Sequence, residues 1–292
     1  MHLKRWLSGL VLAPSLILFI LYAPPWLFLL FILLLTFLGL REFYALSLPG
    51  IPQTQRAVGV LLGMLFPLSL YSRDPRCFIA TLAFVMLFLF IQALFRPEEF
   101  PVRIERLSMH LLGLLYVPFF FAHFVLMHRL SGGRVWILFA LVAVYFGDTT
   151  AFYIGRAWGR RKLAPRISPS KTWEGGLGAV GGSLAGAVIF KYLFFPQLPV
   201  VHALALGAGI GVIGQLGDLF ESLIKRSAKV KDSGTLIPGH GGSWTAWTAF
   251  FSLRPWCIII LGEPDWGSDF FEFCLLNDLI PLGAGRSLRA LR

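Results

Sequence analysis

Val201-His202-Ala203-Leu204-Ala205-Leu206-Gly207-Ala208-Gly209-Ile210-Gly211-Val212-Ile213-Gly214-Gln215-Leu216-Gly217-Asp218-Leu219-Phe220-Glu221-Ser222-Leu223-Ile224 runs directly into Lys225-Arg226. The run matches the roughly 20 residues that cross a bilayer as a helix. Glycines at 207, 211, 214 and 217 recur at helical spacing, which predicts close helix packing. A nucleotide-loop reading fails, because no strand precedes them and no Gly-Lys-Ser/Thr follows. Near the end the apolar run is broken by Asp218. An acid inside a spanning helix costs about 3 kcal/mol unless it is paired, hydrated or metal-bound, so it marks a functional position.

The same pattern extends outward. The chain of 292 residues is 57% hydrophobic and 14% charged, against roughly 25% charged in soluble domains. Apolar runs near 7–22, 26–40, 57–71, 77–95, 108–127, 135–154, 176–195 and 201–224 predict an all-α polytopic membrane bundle of about eight spanning helices. Lys4 and Arg5 precede the first run, but Leu21-Tyr22-Ala23-Pro24 lacks the small residue expected three before a signal cleavage point, so it reads as a retained span. The net charge of +11 does not point to nucleic acid. With the N-terminus inside, the cations divide about seventeen to five in favour of the cytoplasmic side. That orientation places the polar segments 155–174 and 225–242 in the cytoplasm. Cys77, Cys257 and Cys274 have no metal or disulfide spacing.

Residues 1–130 read as a transmembrane scaffold. His110, His123 and His128 lack ligand partners at matching spacing, and Glu98, Glu99 and Glu105 alternate with Arg96, Arg103 and Arg106 as a solvated, self-neutralising turn. Residues 131–242, with the polar segments, are expected to form the catalytic region. Asp148 is a second intramembrane acid, about two turns inside the boundary, and Gly178, Gly182 and Gly186 make a second small-residue face. Asp218, Glu221, Ser222 and Lys225 share one face of the last helix. Such oxygen ligands suit Mg²⁺, which binds through one or two carboxylates and completes its shell with water and phosphate. Lys225, Arg226 and Lys231 are placed to hold phosphate oxygens, and Gly234, Gly239, Gly241 and Gly242 let backbone approach a ligand. The 155–174 segment adds Arg160, Arg161, Lys162, Ser168, Ser170, Lys171 and Thr172. Thr172 doubles as a helix N-cap, and Trp173 reads as an interface anchor.

Ser222-x-Ile224-Lys225-Arg226, four residues, Lys231-Asp232-x-Gly234, two residues, Ile237-Pro238-x-His240-Gly241-Gly242 resembles the signature of the phosphatidate cytidylyltransferase (CDP-diacylglycerol synthase) family over its first two-thirds. Asp148-Thr149-x-Ala151-x-Tyr153 and Lys162-Leu163-x-Pro165-x-Ile167-Ser168-Pro169-x-Lys171-Thr172-x-Glu174-Gly175 also look like that family, so the resemblance covers roughly 110–242. It implies a CTP-dependent nucleotidyltransferase of phospholipid biosynthesis that joins CTP to phosphatidic acid, releasing pyrophosphate, with Mg²⁺ as cofactor. The implied catalytic residues are Asp218, Lys225 and Asp148, with Asp218 as metal ligand. The implied substrate-binding residues are Ser168, Lys171, Thr172, Ser222, Arg226, Lys231, Asp232 and His240. The implied setting is the bacterial inner membrane, among membrane lipids and without nucleic acid; a homodimer is allowed.

The family pattern continues after His-Gly-Gly with Leu-Asp-Arg-x-Asp-Ser, whereas this chain reads Ser243-Trp244-Thr245-Ala246-Trp247-Thr248-Ala249. Because Trp is TGG, Thr ACN and Ala GCN, reading one base earlier forces both aspartates and permits the family pattern in register. Residues 243–292 are therefore expected to be a divergent or frameshifted tail, and activity of the chain as it stands is uncertain because a family metal-binding aspartate is missing. The competing class is an ion-coupled transporter using Asp148 and Asp218, which leaves the two phosphate-suited segments unexplained. A polyprenyl diphosphate transferase would need Asp-x-x-x-Asp clusters, which are absent.

Overall fold

Proline sets the boundaries of most of the helices. The computed structural model describes residues 14–72, 74–130, 132–228 and 230. Helix α1 covers 14–22. It is followed by α2 (Pro25–Ser47), α3 (Gln53–Tyr71), α4 (Pro75–Leu94), α5 (Phe100–Tyr116), α6 (Pro118–Arg129) and α7 (Gly133–Trp158). A short hairpin, β1 (Lys162–Ala164) and β2 (Ser168–Thr172), leads to α8 (Trp173–Phe194) and α9 (Val200–Ser227). α2, α4, α5 and α6 each carry Pro in the first two positions, where the missing N–H is no loss. At Pro118 the ring removes a hydrogen bond and splits one apolar run into α5 and α6, with Val117 at φ −95°, ψ −71° between them.

Six helical stretches are long and apolar enough to cross a membrane among the described residues: Pro25–Ser47, Arg76–Leu94, Phe100–Arg129, Gly133–Trp158, Trp173–Phe194 and Val200–Ser227. The all-α polytopic expectation holds. The run expected at 57–71 is helical as α3 but is not among the six; its first turn is Gln53-Thr54-Gln55-Arg56. The first expected span extends into residues outside the described set, and so do Lys231, Asp232, His240 and the tail 243–292. The β-hairpin is an addition to the expected architecture. Its strands are antiparallel, pairing Lys162 with Thr172 and Ala164 with Ser168 across an irregularity.

The scaffold core is aromatic and aliphatic, with Leu40, Phe43, Tyr44, Phe66, Leu114, Met127 and Phe139 fully enclosed. The histidines are structural, as expected: His110 Nδ1 meets the Arg106 carbonyl at 2.8 Å, His123 Nδ1 meets the Phe119 carbonyl at 2.6 Å, and His128 stacks on Phe28 at 4.2 Å. The solvated-turn reading of 96–106 needs correction. Glu98 pairs with Arg106, but Arg96 is buried and donates to Gln92 Oε1 at 2.7 Å. A long side chain at a helix end folds back along its own helix instead of extending into water.

α7, α8 and α9 pack through their glycines. Gly178, Gly182 and Gly186 face Ile154, Thr150 and Phe146 of α7, while Gly207 and Gly211 of α9 face Ala187, Leu184 and Val180 of α8. Thr150 Oγ1 donates to its own helix at Phe146 O (2.7 Å) and lies within 2.7 Å of Gly178 O across the interface. A methyl group on Gly182 would overlap Thr150 Oγ1 and sit 2.5 Å from the Phe146 carbonyl, whereas one on Gly181 meets nothing within 4 Å. Gly182→Ala is therefore expected to destabilise the protein by about 1–3 kcal/mol, with Gly181→Ala near neutral. Thermal unfolding of both variants in detergent checks this ordering.

Candidate active site at one end of the bundle

Because α7 and α8 are consecutive spans joined by the hairpin, the hairpin lies at the end of the bundle where α7 finishes and α8 starts. The last turns of α9 reach the same end. Arg226 Nε donates to the Ile167 carbonyl at 3.2 Å, and Lys171 Nζ reaches Asp218 Oδ2 at 2.6 Å. The two polar segments are thus joined in space. Lys171 is the more enclosed partner, with its side chain 17% exposed against 44% for Asp218. The ammonium approaches outside good hydrogen-bond alignment, so the contact is one of charge.

The hairpin is fixed at its base by Thr172. Its Oγ1 accepts from the Gly175 N–H at 3.2 Å and so caps α8. Gly155, Gly159 and Gly175 leave the space that the Thr172 side chain fills; a methyl on Gly159 would lie 2.8 Å from Thr172 Cγ2. Opposite it, the Arg161 N–H donates to the Glu174 carboxylate at 3.2 and 3.3 Å, and the Trp173 N–H donates to the Arg161 carbonyl at 2.9 Å. Trp173 itself is exposed at the first position of α8, where an interface anchor belongs. Ser168 is buried and its Oγ lies 3.4 Å from that of Ser170, which is exposed.

On α9 the shared face divides into two charge pairs. Lys225 Nζ bonds Glu221 Oε1 at 2.9 Å, and Glu221 is enclosed to 1%. Glu221 thus holds the ammonium that the sequence assigns to catalysis, a role that becomes visible only once its burial is known. Ser222 is half-buried between the pairs. Tyr116 of α5 supports this turn from behind, with its hydroxyl 3.5 Å from the Gly217 carbonyl and its ring 5.1 Å from that of Phe220. Nothing in the sequence around Tyr116 signals that contact. Asp148 lies on an exposed side of α7, an electrostatic neighbour of Tyr145.

Arg156, Arg160, Lys162 and Arg166 are exposed around the hairpin, and none pairs with a carboxylate among the described residues. Unpaired cations beside a half-exposed carboxylate suit a ligand that carries both phosphate and a divalent cation. Among the described residues no three His, Cys, Asp or Glu side chains gather as a metal cluster. Mg²⁺ does not need one, since water and phosphate supply most of its ligands, and the half-exposed carboxylate of Asp218 fits one protein ligand.

Residues 3–244 match the model of the cytidylyltransferase family. Phosphatidate cytidylyltransferase from Bacillus subtilis is 31% identical over 229 residues, 77% of this chain and 82% of that protein. The protein of the same name from Haemophilus influenzae is 41% identical over 130 residues, covering 41% of this chain and 45% of its own length. That from Staphylococcus haemolyticus is 37% identical over 151 residues, covering 52% and 57%. Thr172→Ala removes the cap and empties the glycine cradle, so it is expected to cost about 1 kcal/mol or more, with Thr172→Ser recovering most of the loss. Denaturant titration of the two variants separates the hydroxyl from the methyl contribution.

Proposed function

Since this chain belongs to the cytidylyltransferase family, we propose that it transfers the cytidylyl group of CTP to phosphatidic acid, releasing pyrophosphate. The observation that carries the reading is the Lys171–Asp218 contact, which joins two polar segments at one end of an integral membrane bundle. A phosphate oxygen of the lipid attacks the α-phosphorus of CTP. A new P–O–P link forms, the bond to the β-phosphate breaks, and pyrophosphate leaves. Both reactants are anions, so the residues must first offset their repulsion and align the attacking oxygen.

Arg156, Arg160, Lys162 and Arg166 are placed to gather the triphosphate at the hairpin, and Lys171 and Arg226 to hold phosphate oxygens beside Asp218. Lys225 is oriented by Glu221, while Ser168 and Ser222 offer hydroxyl donors. Thr172 acts in this reading through the position it gives Lys171. Lys231, Asp232 and His240 lie outside the described residues and stay in this reading as phosphate-binding residues on the ground of the sequence pattern alone, and Asp148 is a further acid on α7. Asp218 would hold Mg²⁺, which would supply positive charge to offset that of the phosphates. The acyl chains stay in the bilayer, and the site faces the cytoplasm at the bacterial inner membrane, the side favoured by the cation distribution.

The family match stops at residue 244, where the chain departs from Leu-Asp-Arg-x-Asp-Ser. That coincidence supports a frameshifted tail from 243 onward. Peptide mapping of the protein from its native source, across 236–262, is expected to return the family pattern; peptides containing Trp244-Thr245-Ala246-Trp247 would establish the tail as genuine.

The activity test uses vesicles containing phosphatidic acid, with CTP and Mg²⁺. A chain carrying the family pattern from 243 is expected to convert lipid at least about 100-fold faster than the chain as it stands. In that active form Asp218→Asn should abolish turnover, and retained turnover would remove its metal role. Ion flux into liposomes without CTP, with no lipid conversion, would replace the enzyme with a transporter.

A further inference from the structure

A second cationic site lies where α4 ends and α5 begins. A pocket there is lined by Leu89, Gln92, Ala93, Arg96, Arg103, Leu107 and His110. Counting the crossings from α5–α6 through α7, it opens at the same end of the bundle as the hairpin, on different helices. Glu98 is used by Arg106. Among the described residues Arg96 donates to Gln92 Oε1, and Arg103 donates to backbone carbonyls, those of Glu98 (2.5 Å) and Leu94 (3.2 Å). Two guanidiniums thus share a pocket with no carboxylate within ion-pair distance of either among the described residues, although Glu98 is near enough to offset part of the Arg96 charge. The ring of His110, 2% exposed, lines the same pocket, and its Nε2 has no hydrogen-bond partner there. Enclosed donors of this kind suit an anion with several acceptor oxygens, and guanidinium matches phosphate in shape.

The surroundings are those of a lipid surface. Leu94, Phe95, Phe100 and Ile104 are exposed at the same junction, and Arg103 lies 5.1 Å over the Phe100 ring. α4 buries 11% of its apolar window, against 39–56% for the other five spans, so its flank faces hydrocarbon. We infer that the α4–α5 pocket binds the headgroup phosphate of an acidic phospholipid, held by Arg96 and Arg103 with its acyl chains along α4. The site is separate from the reaction proposed at the hairpin and does not depend on it.

The test places the full chain in nanodiscs of equal parts phosphatidylglycerol and phosphatidylcholine and counts retained lipid by native mass spectrometry. Preferential retention of the acidic lipid is expected, reduced at least five-fold in Arg96→Gln/Arg103→Gln. It should be unchanged in Arg41→Gln, which removes an exposed cation of α2, a helix whose Tyr44 ring lies 5.1 Å from that of His110. Unchanged retention in the double variant, or an equal loss in Arg41→Gln, overturns the site. Should the double variant not fold, the native chain decides the matter by photolabelling with diazirine phosphatidylglycerol. Labels are expected within 89–107 and not with the phosphatidylcholine analogue; labels elsewhere overturn the inference. Competition distinguishes the sources of phosphate. Displacement by phosphatidic acid and phosphatidylglycerol alike supports a headgroup site, response to phosphatidic acid alone assigns the signal to the reaction site, and equal displacement by inorganic phosphate removes the lipid assignment.

Discussion

Close approach of α7, α8 and α9 is the constraint on which the site depends. Lipid tails are as apolar as leucine, so helices in a bilayer gain little from burying apolar surface and rely on contact and hydrogen bonding. Glycine supplies the contact here, and the Thr150 hydroxyl, bridging from its own turn to the Gly178 carbonyl, adds a polar link. With the backbones this near, the segment between α7 and α8 must turn back within a few residues. Thr172, seated among Gly155, Gly159 and Gly175, closes that turn. Lys171 is adjacent to it, and so its position beside Asp218 follows from the packing of the three helices.

Charge at this end is arranged in two grades. Glu221 and Lys225 are enclosed and pair with one another one helical turn apart, a contact that fixes the geometry of this turn of α9. Asp218 is more open, although the Lys171 ammonium beside it is enclosed, and the surrounding arginines are exposed. Ions in water exchange partners readily, so the outer grade is free to meet a ligand while the inner grade holds the helix that presents it.

Much of this was legible in the sequence. The glycine spacing on α8 and α9 predicts the helix faces that pack, and the basic continuation after Asp218 predicts the polar end of α9 that meets the hairpin. The Lys171–Asp218 contact was not legible, because pairing between residues distant along the chain leaves no periodic trace. Nor was the hairpin, since Ser168-Pro169-Ser170-Lys171-Thr172 lacks the alternating apolar residues that announce a strand. The division of α5 from α6 was hidden in a continuous apolar run, although Pro118 held the reason for it. Arg96 was misread from its charged neighbours, which reveal the composition of a turn but not which side chain folds inward.

The length of α9 sets the depth of the chemistry. Its 28 residues make a rod of about 42 Å, while the hydrocarbon layer is about 30 Å thick. The surplus places Lys225 and Arg226 beyond the acyl region and brings Asp218 toward the level at which phospholipid phosphates lie. In the proposed reaction a lipid substrate would reach the carboxylate by lateral diffusion, without being lifted from its leaflet. Hydrophobic mismatch becomes a control on this geometry: in a thicker bilayer the same rod stands more upright and Asp218 sinks relative to the headgroups, while in a thinner one tilt takes up part of the added overhang.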